Sequence, residues 1–179
     1  RDGAVYSVAT FGEQTWMTMN LAYEAPGSNC YENSEGNCDQ FGRLYTWETA
    51  RDAGPDGWHL PTDEEWMTLE QYMGMKKGVA RSMGLRSKTV GHALKDTLAG
   101  NWSAPKKGSF GAIGFNALPA GFMLTEGTSV EQGRSALFWT ASEYSRKDAY
   151  YRKVEDSKGG IHRYHCSKDR ACSIRCIRD

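Results

Sequence analysis

Four runs near the C-terminus decide the fold: ALFWTASEY at 136–144, AYYRKVED at 149–156, GIHRYHCS at 160–167 and ACSIRCIRD at 171–179. Each is short and rich in aromatic or β-branched residues. Polar turns separate them, SRKD at 145–148 and SKGG at 157–160. Such spacing reads as antiparallel strands. Working outward, FNALPAGFM at 115–123 begins this strand-rich half, and the segments before it carry the helical signals. In 43–53, RLYTWETARDA, the residues Leu44, Trp47 and Ala50 recur every three positions, with Glu48 and Arg51 on the polar edge, which predicts a helix. Gly54, Pro55 and Gly57 stop it. A second helix is predicted from Thr62, whose side chain and Glu65 three residues on make a capping box. Trp66, Leu69, Tyr72 and Met73 should face its core side, and Trp47, Trp58 and Trp139 should be largely buried with Trp66. At the N-terminus, 4–20 reads as two short strands around a Gly12 turn. Helices early and strands late imply an α+β fold, two helices packed on a mostly antiparallel sheet.

Length and composition agree with one domain over 1–179. A chain of 179 residues fills a single core, and 39% hydrophobic with 12% aromatic content excludes wholesale disorder. Zero formal net charge removes the global basic field expected of a nucleic-acid binder. No apolar run approaches the ~20 residues that span a bilayer. A leader is expected to have been removed or left out ahead of Arg1.

The five cysteines are Cys30, Cys38, Cys166, Cys172 and Cys176. Zinc and catalytic cysteines usually come as tight Cys-x-x-Cys pairs, and these spacings are longer. Cys30 and Cys38 flank a polar, Gly-containing loop, and a disulfide closing it would contribute roughly 2–3 kcal/mol in the chain-entropy model. That pairing points to an oxidising compartment, two reduced loop cysteines in a cytosolic protein being the alternative. The odd count leaves one thiol unpaired or pairing between chains.

Signatures of catalysis are missing: there is no GxGxxG, phosphate loop, HExxH or GxSxG. His162 and His165 are the close histidine pair, but residues three apart on a strand face opposite sides and make a poor metal site. His59, in WHLP, reads as structural, bonded to loop carbonyls. Carboxylates Glu64/Glu65 open a helix and complement its dipole, and Glu155/Asp156 point apart on a strand, so neither pair spans a cleft as acid–base catalysis needs. No cofactor or metal is expected, and the chain is not read as an enzyme. GMKKGVARSMGLRSK at 74–88 looks like an exposed, basic, Gly-punctuated insertion, HALKDTL reads as a short helix and NWSAPKKGSFGAIG as loop. In the insertion, Lys76, Lys77, Arg81, Arg86 and Lys88 are either a solvated loop or a phosphate-binding patch.

The segment 140–170 stands out. Tyr144, Arg146, Asp148, Tyr150, Tyr151, Arg152, Lys153, His162, Arg163, Tyr164, His165 and Lys168 place large polar side chains on both alternating faces of strand-like runs. A strand with one solvent face does not need that. Tyrosine and arginine are what binding surfaces use, an ordinary exposed sheet face being the other reading. These residues are the candidate ligand site.

Taken in order, FGEQTWMTMNLAY, GRLYTWETARDA, PDGWHLPTDEEWMTL, GFNALPAGF, FWTASE and SIRCIRD resemble the Fibrobacter succinogenes major paralogous domain family over nearly the whole chain. The resemblance implies a C-type-lectin-like fold on the formylglycine-generating-enzyme branch. It further implies an exported or cell-surface protein, often a lipoprotein, pilus part or adhesin of bacteria. Its ligand would be a protein or glycan on another cell. Residues 140–170 also look like the variable region of proteins diversified by retroelements. There, recoded adenines yield tyrosine, histidine, aspartate, serine and arginine at surface positions. Two departures matter. Where the family commonly carries a cysteine before Pro-x-Gly-Trp-His-Leu-Pro, this chain has Gly54, so Cys176 lacks that partner. The calcium-binding motifs of sugar-binding lectins are absent as well. A pilus subunit is the alternative function. A formylglycine-generating-type oxidase is the enzymatic one, for which Cys172 and Cys176 would share one side of a strand.

Overall fold

The computed structural model describes residues 3–96, 101–103 and 114–179. In chain order the elements are β1 (Val8–Phe11), β2 (Gln14–Met17), β3 (Ser28–Asn29), α1 (Glu35–Phe41), β4 (Leu44–Tyr45) and α2 (Trp47–Asp52). They continue with β5 (Trp58–His59), α3 (Asp63–Tyr72), α4 (Lys77–Ala80), β6 (Gly84–Arg86) and α5 (Val90–Leu94). The strand-rich half holds β7 (Phe122–Met123), β8 (Ser129–Val130), β9 (Ser135–Glu143), β10 (Asp148–Glu155), β11 (Ile161–Ser167) and β12 (Ile177–Arg178). Two four-stranded sheets, ordered β1-β2-β12-β5 and β6-β11-β10-β9, and the ribbons β3-β4 and β7-β8 make a mixed α and β architecture. Their strands pair antiparallel.

The early hairpin forms as the sequence predicts, β1 and β2 turning at Gly12, whose φ of +63° suits glycine. β12 joins β2 to β5, so the last residues tie the first hairpin to the chain just before α3. Only Ile177–Arg178 of the closing SIRCIRD run is strand; the preceding residues are irregular and buried.

α3 starts at the predicted capping box. Thr62 Oγ1 accepts from the Glu65 N–H at 3.2 Å, and Glu65 Oε2 accepts from the Thr62 N–H at 2.7 Å. Glu65 has a second task. Its Oε1 lies 2.9 Å from His59 Nε2, while His59 Nδ1 meets Asp179 Oδ1 at 2.6 Å, so His59 bonds two carboxylates rather than loop carbonyls. Burial pulls the imidazole's pKa down, but Asp179 and Glu65 outweigh it and raise the pKa above its ordinary value. Trp66 and Leu69 are fully buried as expected, whereas Tyr72 is 56% exposed beside Gly12. Tyr72 sits in the last turn of α3, where the helix leaves the core. The first predicted helix is shorter than its pattern: Leu44 and Tyr45 pair with β3, and helix runs only from Trp47. Leu44 is buried as a strand residue, so its spacing to Trp47 was not helical.

The central strand β9 explains the continuous apolar run ALFW. Ala136 and Phe138 face a core with Trp16, Trp66, Phe115, Val154 and Ile161. Leu137 and Trp139 face a second core with Tyr45, Trp47, Cys172 and Cys176. A strand buried on both faces needs no polar alternation. Trp66 sits edge-on to Trp16 at 4.9 Å and to Phe115 at 5.7 Å. Trp47 and Trp139 donate their indole N–H groups to the Thr140 and Tyr45 carbonyls, both at 2.8 Å. α2 and α3 both pack on β9. Trp58, expected in the core, is only partly buried, under the Arg178 guanidinium at 5.0 Å.

The 74–88 stretch is less of an insertion than its glycines suggest. Gly84–Arg86 pairs with β11 as an edge strand, and Arg86 is 2% exposed. That removes it from any surface phosphate patch, leaving Lys76, Lys77, Arg81 and Lys88 outside. The expected helix in HALKDTL is realised in part as α5, which starts two residues earlier and ends at Leu94, while 97 and 98 lie outside the described residues. Most of the expected loop NWSAPKKGSFGAIG lies outside the described residues.

Cys30 and Cys38 form the predicted disulfide, across a short helical turn and the start of α1 rather than an open loop. Gly54 packs against Cys176: a Cβ there would stand 3.3 Å from Cys176 Sγ and 2.9 Å from the Trp58 carbonyl.

Two expected outcomes follow from this packing. Trp66→Ala removes an indole from the junction of α3 and β9 and should cost about 3–5 kcal/mol in denaturant unfolding. Gly54→Cys should crosslink to Cys176, seen as the linked peptides in a non-reduced digest. The closed loop exceeds 100 residues, so the chain-entropy model gives about 4–5 kcal/mol, less whatever the crowded Trp58 carbonyl takes back.

Candidate functional site

β10 and β11 are the hairpin that carries the predicted ligand residues, and its register sorts them. Tyr150 stands opposite His165, Tyr151 opposite Tyr164, Arg152 opposite Arg163 and Lys153 opposite His162. Side chains alternate along a strand, so Tyr150, Arg152, Arg163 and His165 share one face and Tyr151, Lys153, His162 and Tyr164 the other.

Arg152 and Arg163 are not surface residues. They are 0% and 9% exposed and lie under α3. Arg152 donates Nη1–H to Asp63 Oδ1 and Nε–H to Glu70 Oε1, both at 2.7 Å. Arg163 donates Nη2–H to Asp63 Oδ2 at 2.7 Å. Arg86 closes the set with a forked pair to Glu70, at 2.7 and 2.6 Å. Burial alone would raise the Asp63 pKa, but Arg163 and Arg152 overcome it and hold the carboxyl below its ordinary value. Charges buried this deeply persist only when paired.

Tyr151 is also displaced from the expected surface. It packs against the second core, and desolvation pushes its phenol pKa well up. The register of β10 on β9 shifts between Ala149 and Tyr151, and Tyr151 stays packed inside. Lys168 lays its ammonium over the Trp47 ring at 4.2 Å and pairs with Glu143 at 2.6 Å, a strut more than a free contact. Lys153 bridges Glu131 and Glu155 at 2.9 and 3.0 Å, and His162 Nε2 also meets Glu155, at 2.8 Å. These two lie three strand positions from the Tyr150–His165 pair, roughly 10 Å along the sheet.

What remains gathers at the open end of the hairpin. The Tyr144 ring stacks on His165 at 3.6 Å with 8° between planes, and the Tyr164 ring, although its residue alternates to the opposite face, lies 5.3 Å from the His165 ring at 4°. Tyr150 meets Tyr144 edge-on at 5.4 Å and sits over the Arg163 guanidinium at 4.4 Å. Asp148 Oδ2 holds His165 Nδ1 at 3.0 Å. Tyr144 and Tyr164 are 49% and 47% exposed, and Arg146 is exposed beside them in the turn. The turn itself is fixed by Ser145 Oγ, which accepts from the Lys147 and Asp148 N–H groups. The arrangement is a supported aromatic ridge: two half-exposed phenols lie near-parallel to an imidazole, with an arginine–carboxylate pair beneath. Chemically it offers ring faces for stacking and hydroxyls for hydrogen bonds. His162 and His165 each take their own carboxylate, on opposite faces as expected.

Asp63 and Glu70 escaped the sequence reading, which also placed Arg86 in an exposed basic stretch instead of beside them. The spacing of seven puts Asp63 and Glu70 on one helix face two turns apart, which is a signal. That arginines 82 to 100 residues away would meet them is not. A separate cavity of about 310 Å³, lined by Tyr6, Val8, Met17, Pro55 and Trp58 among others, holds none of the predicted residues.

The model of the Fibrobacter succinogenes major domain matches residues 9–178. No match is found among curated proteins or solved structures.

Removing one carboxylate should expose the network. Asp63→Ala leaves Arg152 and Arg163 short of charge and should cost about 3–5 kcal/mol. Because the folded pKa of Asp63 lies below its unfolded value, its contribution is complete above about pH 4 and fades as pH falls through the folded value. Acid titration of stability should therefore be shallower in Asp63→Asn than in the wild type.

Proposed function

Since the chain belongs to the Fibrobacter succinogenes major domain family, we propose that it is an exported or cell-surface binding domain of C-type-lectin-like fold. Its ligand is a protein or glycan on another cell or surface, engaged by the ridge of Tyr144, Tyr150, Tyr164 and His165. The observation that carries this reading is the ring cluster itself: three near-parallel rings at a hairpin end, the two phenols about half exposed. Aromatic anchors of this kind dominate interfaces and lose little side-chain entropy when covered. Arg146 and Asp148 flank them and orient the ligand.

The retroelement reading becomes more specific on this geometry. Diversification is tolerated where a side chain can change without disturbing the fold. Tyr144, Arg146, Tyr150, Tyr164 and His165 satisfy that. Arg152, Arg163, Val154 and Ile161 do not, because they hold α3 and the first core. A nearby reverse-transcriptase gene with an adenine-rich near-copy of codons 140–175 would carry recoded codons at the first set and none at the second.

An oxidase of the formylglycine-generating type would need two thiols poised in a cleft. Cys172 is fully buried, and burial pushes the Cys176 thiol up to about 12. Both features favour the binding reading.

The deciding experiment is the double variant Tyr144→Ala with Tyr164→Ala. It should fold with a melting temperature near the wild type, since neither ring is core. On a glycan array and on whole target cells it should lose at least tenfold in affinity. Unchanged binding to both would place the ligand elsewhere, and assembly of the wild type into filaments would favour the pilus-subunit function.

A further inference from the structure

We infer that His59 is a pH-operated latch: it fastens Asp179 to β5 and to the start of α3 while its imidazole carries a second proton, and lets Asp179 go when that proton leaves. Three parts of the chain meet there. His59 ends β5, Glu65 belongs to the capping box of α3, and Asp179 follows β12. Both ring nitrogens face carboxylate oxygens, Nδ1 at 2.6 Å from Asp179 Oδ1 and Nε2 at 2.9 Å from Glu65 Oε1.

A carboxylate only accepts, so each contact needs an N–H from the ring. The imidazolium has two and the neutral ring has one. Deprotonation therefore sets one nitrogen lone pair against a carboxylate oxygen. The surroundings decide which contact is lost. Glu65 is anchored independently of His59, because its Oε2 accepts from the Thr62 N–H at 2.7 Å and from the Thr62 hydroxyl at 2.8 Å. Its side chain is 29% exposed, that of Asp179 60%. The neutral ring thus keeps its proton on Nε2, bonded to Glu65, and turns a lone pair on Asp179. Asp179 then exchanges the ring for water.

The charges acting on the ring are those two carboxylates. Burial pulls the imidazole's pKa down, and Asp179 and Glu65 together carry it above its ordinary value. β2 brings an uncharged group, Gln14, whose amide donates to the Glu65 carbonyl at 3.1 Å. From α2 and the 54–57 turn, Arg51, Asp52 and Asp56 line the cleft that His59 borders. Arg178 of β12 alternates to the other side of the strand, over the Trp58 ring. Because the folded pKa of His59 lies above the unfolded one, the latch contributes fully below about pH 6.5 and is lost as pH rises through the folded value.

What the latch holds is the last step of the sheet β1-β2-β12-β5. There Arg178 pairs with Trp58, and the Asp179 N–H donates to the Gly57 carbonyl at 3.1 Å. Release loosens this end of β12 and β5, while Ile177 stays buried in the first core. The aromatic ridge lies on the other four-stranded sheet, so the latch rests on nothing said of the ridge's ligand.

The test is an NMR titration of the His59 ring in the folded chain and in Asp179→Asn, with His59→Gln assigning the resonance. Asp179 is exposed, so its variant keeps the fold and the comparison stands even where His59→Gln does not fold. The His59 midpoint should lie above about 6.5 in the wild type and fall in Asp179→Asn. By linkage, each unit of that fall is about a tenfold weakening of the Asp179 contact between its acid and alkaline limits. The same factor should appear in the hydrogen-exchange protection of the Asp179 N–H, which drops with rising pH in the wild type and stays level in Asp179→Asn. A wild-type midpoint at or below about 6.5, or one that Asp179→Asn leaves unmoved, overturns the latch. So does protection at Asp179 that ignores the titration, or a loss that falls on the Glu65 N–H in its place.

Discussion

Arg152 and Arg163 stand opposite each other on neighbouring strands and share the carboxylate of Asp63, while Arg152 and Arg86 share Glu70. This lattice joins α3 to three strands of one sheet. Three guanidiniums and two carboxylates out of water are costly one by one. Together they are tolerable only in one arrangement, because each carboxylate oxygen has a fixed donor. The orientation of α3 over β6, β10 and β11 is therefore set by hydrogen-bond geometry as well as by apolar packing. Trp66, between Asp63 and Glu70 on the same helix, fills the space beside the lattice, with the Arg152 guanidinium 6.0 Å from its ring.

The other organising constraint is β9. Because both faces are buried, it separates two cores that could otherwise be filled independently. Tryptophan indoles on one side reach backbone carbonyls, and rings on the other side pack edge to face. Arg175, fully buried among Phe115 and Phe138, donates to the Asn20 side chain and to the carbonyls of Phe115 and Asn116. Burial lowers its pKa to about 9, so it keeps its charge near neutrality and ties the closing segment to the early hairpin's exit.

These two devices divide the β10–β11 hairpin by function. Its inner half serves the lattice and the first core. Its outer end keeps Ala149, Tyr151 and Cys166 on the second core, while Tyr144 and Tyr164 present rings to solvent. Arg163 sits at the boundary: one face pairs with Asp63 and the other supports Tyr150. The floor of the ridge is thus part of the buried ion-pair lattice.

Local chemistry along the sequence determined much of this protein. The capping box at Thr62, the turn at Gly12, the late strands and the Cys30–Cys38 bridge all depend on residues close in the chain, and all are present. The candidate region was legible as an excess of tyrosine, arginine and histidine, but its sorting was not. Composition cannot tell a displayed arginine from one that neutralises a helix carboxylate 89 residues away. Nor does strand alternation alone place Tyr151 inside and Tyr164 outside, since both share a face that is covered at one strand and open at its neighbour. Leu44 and Arg86 were misread for the same reason: a strand pairing to a distant segment overrode the local pattern. Sequence settled what depends on neighbours within a turn or a strand. Tertiary structure decided which charged side chains meet, because ion pairing acts through space and the chain between the partners leaves no mark of it.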